Sequence, residues 1–153
     1  MSEAATTTHA GSSTHTWKRM LRSIGAVFAG VLTNIVVVGA VDAAFRAAGI
    51  YPAMFQPMGD GQWALALATR VIFAVVGGFV TAKLAPPSPS RPMRHVLVLG
   101  VIETLLSVPF VLVNWNKAEF GPHWFGVSVA ISCLPLAALG GVLCAGRTAR
   151  THP

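Results

Sequence analysis

Arg94-His-Val-Leu-Val-Leu-Gly-Val-Ile-Glu103-Thr-Leu-Leu-Ser-Val-Pro-Phe-Val-Leu-Val-Asn114 is an apolar run with a single carboxylate close to its middle. About 20 such residues cross the hydrocarbon core of a bilayer as a helix. A charge at that depth costs about 3 kcal/mol on insertion scales unless it is paired, neutralised or facing water. Glu103 therefore requires other helices around it, and the rest of the chain supplies them.

The 153 residues are 54% hydrophobic and only 10% charged, with mean hydropathy +0.64. Soluble domains carry about a quarter charged residues, so this balance points to a membrane protein. The net charge of +6 does not indicate nucleic acid, because the basic residues flank the apolar runs and form no stripe on a polar surface. The lipid bilayer is the expected surroundings, and nucleic acid is not expected as a partner.

Residues 1–17 are rich in Ser, Thr, Ala and His, lack periodicity and read as a disordered tail. The bundle domain then covers residues 18–147, with spans near 22–48, 62–84, 95–114 and 123–145, and 148–153 form a short tail. Lys18, Arg19 and Arg22 before the first run also fit a secretory signal, but the run is too long for one and continues through Asp42-Ala-Ala-Phe-Arg46 in helical register. A retained helix is expected, closed by Gly49 as a C-cap and by Pro52. Ala85-Pro-Pro-Ser-Pro-Ser-Arg-Pro92 reads as a stiff turn between the second and third spans.

Lys18, Arg19, Arg22, Lys83, Arg91, Arg94, Arg147 and Arg150 all fall at one set of span ends, out of 11 Lys and Arg in the chain. The positive-inside rule then places both termini in the cytoplasm. Tyr51, Trp63, Trp115 and Trp124 would form an aromatic belt at the outer interface, with Trp17 at the inner one.

Four charges fall inside the runs or at their outer ends: Asp42, Arg46, Arg70 and Glu103. At 1.5 Å per residue, Asp42 lies roughly 10 Å in, Arg70 roughly 12 Å and Glu103 roughly 16 Å. One reading makes Arg70 and Glu103 a neutralising pair between the second and third helices, assisted by Asp42, with Asp42 and Arg46 as a favourable intrahelical pair. The other makes these residues the lining of an outward-open polar cavity for a solute or protons. Asn34, deeper and more isolated, is expected to hydrogen-bond across a helix interface.

Gly30, Gly77, Gly78, Gly140 and Gly141 are expected at helix–helix contacts, where small residues four apart let backbones approach. Gly30-Val-Leu-Thr-Asn34 and Gly100-Val-Ile-Glu-Thr104 are alike, as are the Trp63…Gly77-Gly78 and Trp124…Gly140-Gly141 pairs, which suggests two repeated hairpins. Cys133 and Cys144 stand roughly 16 Å apart along one helix, too far for a disulfide, and read as small core residues. Metal-ligand clusters, Gly-x-Ser-x-Gly, phosphate-binding loops and Cys-x-x-Cys are absent from the sequence, so no enzymatic activity, cofactor or metal is expected.

Tyr51-Pro52, Pro57-Met58, Gly77-Gly-Phe-Val-Thr-Ala-Lys-Leu-Ala-Pro86, Arg91-Pro-Met-Arg-His95 and Leu99-Gly100 together resemble small four-helix bacterial integral membrane proteins of unknown function. The resemblance covers most of the region after Ala26 and implies a bacterial inner-membrane location but no activity. The chain is also similar in size to small multidrug transporters, whose essential glutamate is in the first helix. Here that helix holds Asn34 and Asp42, and the role does not transfer.

The expected protein is therefore an all-α, four-span bundle. Its leading function is that of a structural or accessory subunit, self-associating or meeting a membrane-protein partner through its glycine faces. The alternative is a minimal transporter or channel built on Arg70, Glu103 and Asp42.

The topology is testable by labelling. In a background without Cys133 and Cys144, Gly59→Cys and Ala118→Cys should react with an impermeant thiol reagent outside intact cells. Ser88→Cys and Thr148→Cys should stay unlabelled, and labelling of Ser88→Cys would overturn the four-span arrangement.

Overall fold

A computed structural model describes residues 10–86 and 91–151. The described residues are all-helical: α1 (Ala10–Ala47), α2 (Asp60–Leu84), α3 (Arg91–Val113) and α4 (His123–Thr151), with one 3₁₀ turn at Ala118–Phe120. All four helices are long and apolar enough to cross a membrane. The chain thus has the architecture of a multi-pass membrane protein.

Three boundaries move from their sequence-based positions. α1 starts at Ala10, so Ala10–Trp17 is helical where a disordered tail was expected; extending a formed helix adds a hydrogen bond for each residue ordered. Residues 1–9 of that tail lie outside the described residues, as do residues 87–90 of the proline turn. α3 opens at Arg91, because a proline at position 92 is tolerated in a first turn, whose N–H groups have no helical acceptor. α4 runs past Ala145 to Thr151.

Gly49 closes α1 as expected. Its φ of 74° is left-handed, and the Ile50 and Gly49 N–H groups donate to the Phe45 and Arg46 carbonyls at 2.9 and 3.0 Å. This is the paired geometry of a glycine-terminated helix. At the start of α2 the Gly59 N–H donates to Gln62 Oε1 at 3.0 Å.

The interior is made of small residues. Ala66, Ala74, Gly77, Gly78 and Ala82 of α2 are buried, as are Ala130, Cys133, Ala137, Gly140 and Gly141 of α4. Large apolar side chains such as Ile35, Leu105, Leu112 and Ile131 point outward instead. In lipid, outward apolar surface costs nothing, and association depends on close packing, which small residues permit.

α2 and α4 form the central contact, with α1 on α2 and α3 on α4; α1 and α4 do not pack on each other among the described residues. A Cβ on Gly78 would collide with the Ala137 carbonyl, and one on Gly140 would strike the Val75 carbonyl and stand 2.7 Å from the Phe79 nitrogen. The two backbones therefore touch. Gly30 admits Thr81 of α2, and Gly100 comes so close to α4 that a Cβ would lie 2.9 Å from Leu134 Cα. Each hairpin's first helix thus uses a glycine at the same place to seat its own second helix. Gly77 makes room for Asn34, and Gly141 faces Val96 and Met93.

Gly78→Leu and Gly140→Leu should therefore abolish monodisperse protein in mild detergent. Gly39→Leu, where a Cβ meets nothing within 4 Å, should elute as wild type. Normal elution of Gly140→Leu would contradict the backbone-to-backbone contact.

Candidate functional site

The charged side chains inside the bundle fall into two sites at different levels. The first lies toward the end where the α1–α2 and α3–α4 loops meet. Arg70 of α2 donates through Nη2 to Asp42 Oδ2 of α1 at 3.0 Å and through Nη1 to the Ala66 carbonyl at 3.0 Å. Its guanidinium carbon stands 5.3 Å from the centre of the Phe125 ring of α4. One cation thereby ties three helices together, using charge, hydrogen bonds and the negative face of an aromatic ring.

Above this pair is a cavity of about 440 Å³, within the size range of small-molecule sites. Asp42, Arg46 and Arg70 line its inner part, aromatic rings form much of its wall, and Glu119 and His123 stand at the loops. Trp63 packs on Phe125 with ring centres 4.7 Å apart and is held by its indole N–H donating to the Met58 carbonyl at 3.1 Å. Tyr51 sits edge-on to Phe45 at 5.1 Å. His123 stacks on Trp115 at 4.1 Å and meets the Trp115 carbonyl at 2.9 Å.

Three buried polar atoms around this cavity have no protein partner: Asp42 Oδ1, Arg46 Nε and the Tyr51 hydroxyl oxygen. Such atoms cost about 1–3 kcal/mol each unless water or a ligand satisfies them. Burial pushes the Tyr51 hydroxyl above its ordinary pKa of 10.0, and the Asp42 charge pushes it the same way against Arg70 and Arg46. Tyr51 therefore stays a neutral donor and acceptor at physiological pH.

The second site is deeper. Asn34 Nδ2 of α1 donates to Glu103 Oε1 of α3, and Thr81 of α2 is completely buried nearby behind Gly30.

These contacts correct the sequence-based pairing. Arg70 does not neutralise Glu103; it meets Asp42, the acid closest to its own depth. Glu103, about a turn further in, finds Asn34. Asp42 is likewise not paired with Arg46, because its accepting oxygen is taken by Arg70 and Arg46 keeps an unpartnered Nε. The cavity collects Asp42, Arg46 and Arg70 but leaves Glu103 outside its wall.

Tyr51 and Trp63, expected in an interfacial belt, are 4% and 8% exposed and belong to the cavity's packed wall. Trp115 and Trp124 remain exposed. Tyr51 and Phe125 are site components that the sequence does not single out. Their only advance signal was aromatic density near the loops. Neither Cys133 nor Cys144 forms a disulfide, and Cys133 is buried beside Ser107, 3.8 Å away. Among the described residues no group of three His, Cys, Asp or Glu side chains could hold a metal.

Comparison with protein-family models, with curated proteins and with solved structures returns no match to this chain.

A double-mutant cycle separates the two pairings. Asp42→Asn and Arg70→Met should couple by about 0.5–3 kcal/mol in detergent unfolding, as contacting residues do. Arg70→Met and Glu103→Gln should add independently. Coupling in the second cycle and none in the first would reverse the assignment.

Proposed function

We propose that this chain is a non-enzymatic integral membrane protein of a bacterial inner membrane, with cytoplasmic termini, that binds a small amphipathic molecule carrying one anionic group. On this reading the loops face outward and the cavity is entered from outside, as the basic residues at the opposite end favour. It is the minimal transporter or channel alternative, carried by the cavity: about 440 Å³ of space with Asp42 Oδ1, Arg46 Nε and the Tyr51 hydroxyl unpartnered around it.

Charge selects the ligand class. Asp42 and Arg70 cancel at the inner end, leaving the Arg46 guanidinium as the uncommitted charge there. A planar guanidinium suits a carboxylate or phosphate group, and Trp63, Phe125 and Phe110 suit an apolar or ring-bearing body. Glu119 lies at the exposed loop, where water screens it. The accessory-subunit reading has less support, because Gly30, Gly77, Gly78, Gly140 and Gly141 are all taken up by this chain's own helices.

The test is binding in lipid nanodiscs, read by tryptophan fluorescence, for a series of aromatic monocarboxylates and their neutral amides. Carboxylates should change the signal saturably and raise the unfolding temperature, and the amides should do so at least tenfold more weakly. Arg46→Gln should remove that preference. Equal response to acids and amides, or none to either, would refute an anion-binding cavity.

A further inference from the structure

The Asn34–Glu103 contact is left over from the cavity, and its hydrogen-bond arithmetic is incomplete. Asn34 Nδ2 donates to Glu103 Oε1, yet Asn34 Oδ1 and Glu103 Oε2 are both buried without a partner. With an ionised Glu103, both orphaned atoms are pure acceptors. Neither can then satisfy the other, and a charge sits inside a membrane-spanning helix with no cation paired to it among the described residues. One hydrogen resolves all of this. A carboxylic acid and a primary amide join in a ring of two bonds, N–H to one oxygen and O–H to the amide oxygen. The two orphans are the pair such a ring still needs.

We propose that Asn34 and Glu103 form a proton-binding site within the membrane, in which Glu103 is the neutral acid and Oε2–H donates to Asn34 Oδ1. The site joins α1 to α3, two helices that otherwise touch sparsely. Release of the proton would leave two acceptors facing each other, so parting of this interface and loss of the proton are one linked event.

The surroundings fit a neutral group. From α4 the titratable neighbour within electrostatic reach is Cys133, whose thiol donates to the Val129 carbonyl at 3.2 Å. α2 offers the buried Thr81 hydroxyl; its charged residues are Arg70, committed to Asp42, and Asp60 and Lys83 near its ends. On α1 the nearest charge is Asp42, eight residues away and already paired, and on α3 it is Arg94, nine residues away, with His95 beside it. The pocket itself is kept open by Gly77, where a Cβ would lie 2.5 Å from Asn34 Oδ1.

Infrared spectroscopy of the protein in nanodiscs at neutral pH tests this directly. Wild type should show the C=O stretch of a protonated carboxyl, shifted in D₂O, which disappears in Glu103→Gln and persists in Asp42→Asn. Glu103→Gln also keeps the ring, since its amide N–H replaces the acid O–H, so it should fold. The melting temperature of wild type should fall from mildly acidic to mildly alkaline pH, and that of Glu103→Gln should not. Carboxylate bands alone at neutral pH would overturn the proposal. So would stabilisation by Na⁺ without a protonated-carboxyl band, which would mean a metal cation held by the ionised form.

Discussion

A polar side chain carried into the apolar slab is costly unless it is paired there, and that constraint organises the charged residues of this bundle. Arg70 is the clearest case. Its guanidinium reaches Asp42 on α1, the Ala66 carbonyl on its own helix and the Phe125 ring on α4. Among the described residues α1 has no packing contact with α4, so Arg70 also bridges the two helices that steric packing leaves apart. Deeper in, Asn34 and Glu103 link α1 to α3, two helices that otherwise touch sparsely.

Packing and polarity divide the work by level. Toward the terminal end, glycines bring α2 and α4 into backbone contact, leaving no room for a pocket between them. Toward the loop end the residues on these faces become large and aromatic: Trp63 on α2 and Phe125 on α4. Rings hold the helices apart where glycines let them touch, and the cavity opens in that gap. Its polar atoms are those that the Arg70–Asp42 pair leaves unused.

Much of the fold was legible because membrane spans are encoded by long, local signals. Apolar length, flanking Lys and Arg, Gly49 as a cap and the glycine pairs all act within one helix or at its ends. The pairing of charges was not legible in the same way. Depth counted from loop residues placed Asp42, Arg70 and Glu103 within about a turn of each other, and rotation of each helix then decides who meets whom. A Gly77 that must accommodate Asn34 fixes part of that rotation, but only once the α1–α2 packing is known. Tyr51 was misplaced for a related reason: interfacial and cavity-wall aromatics look alike in sequence, and only loop closure distinguishes them.

The charge pairing is most directly measured by solid-state NMR dipolar dephasing between ¹⁵N-labelled arginine guanidinium groups and ¹³C-labelled carboxylates in lipid. With Asp labelled, a strong short-range contact should appear and vanish in Asp42→Asn, the other aspartate being Asp60 at the start of α2. With Glu labelled, no comparable contact that depends on Glu103 should be seen. A guanidinium contact abolished by Glu103→Gln and untouched by Asp42→Asn would contradict the account.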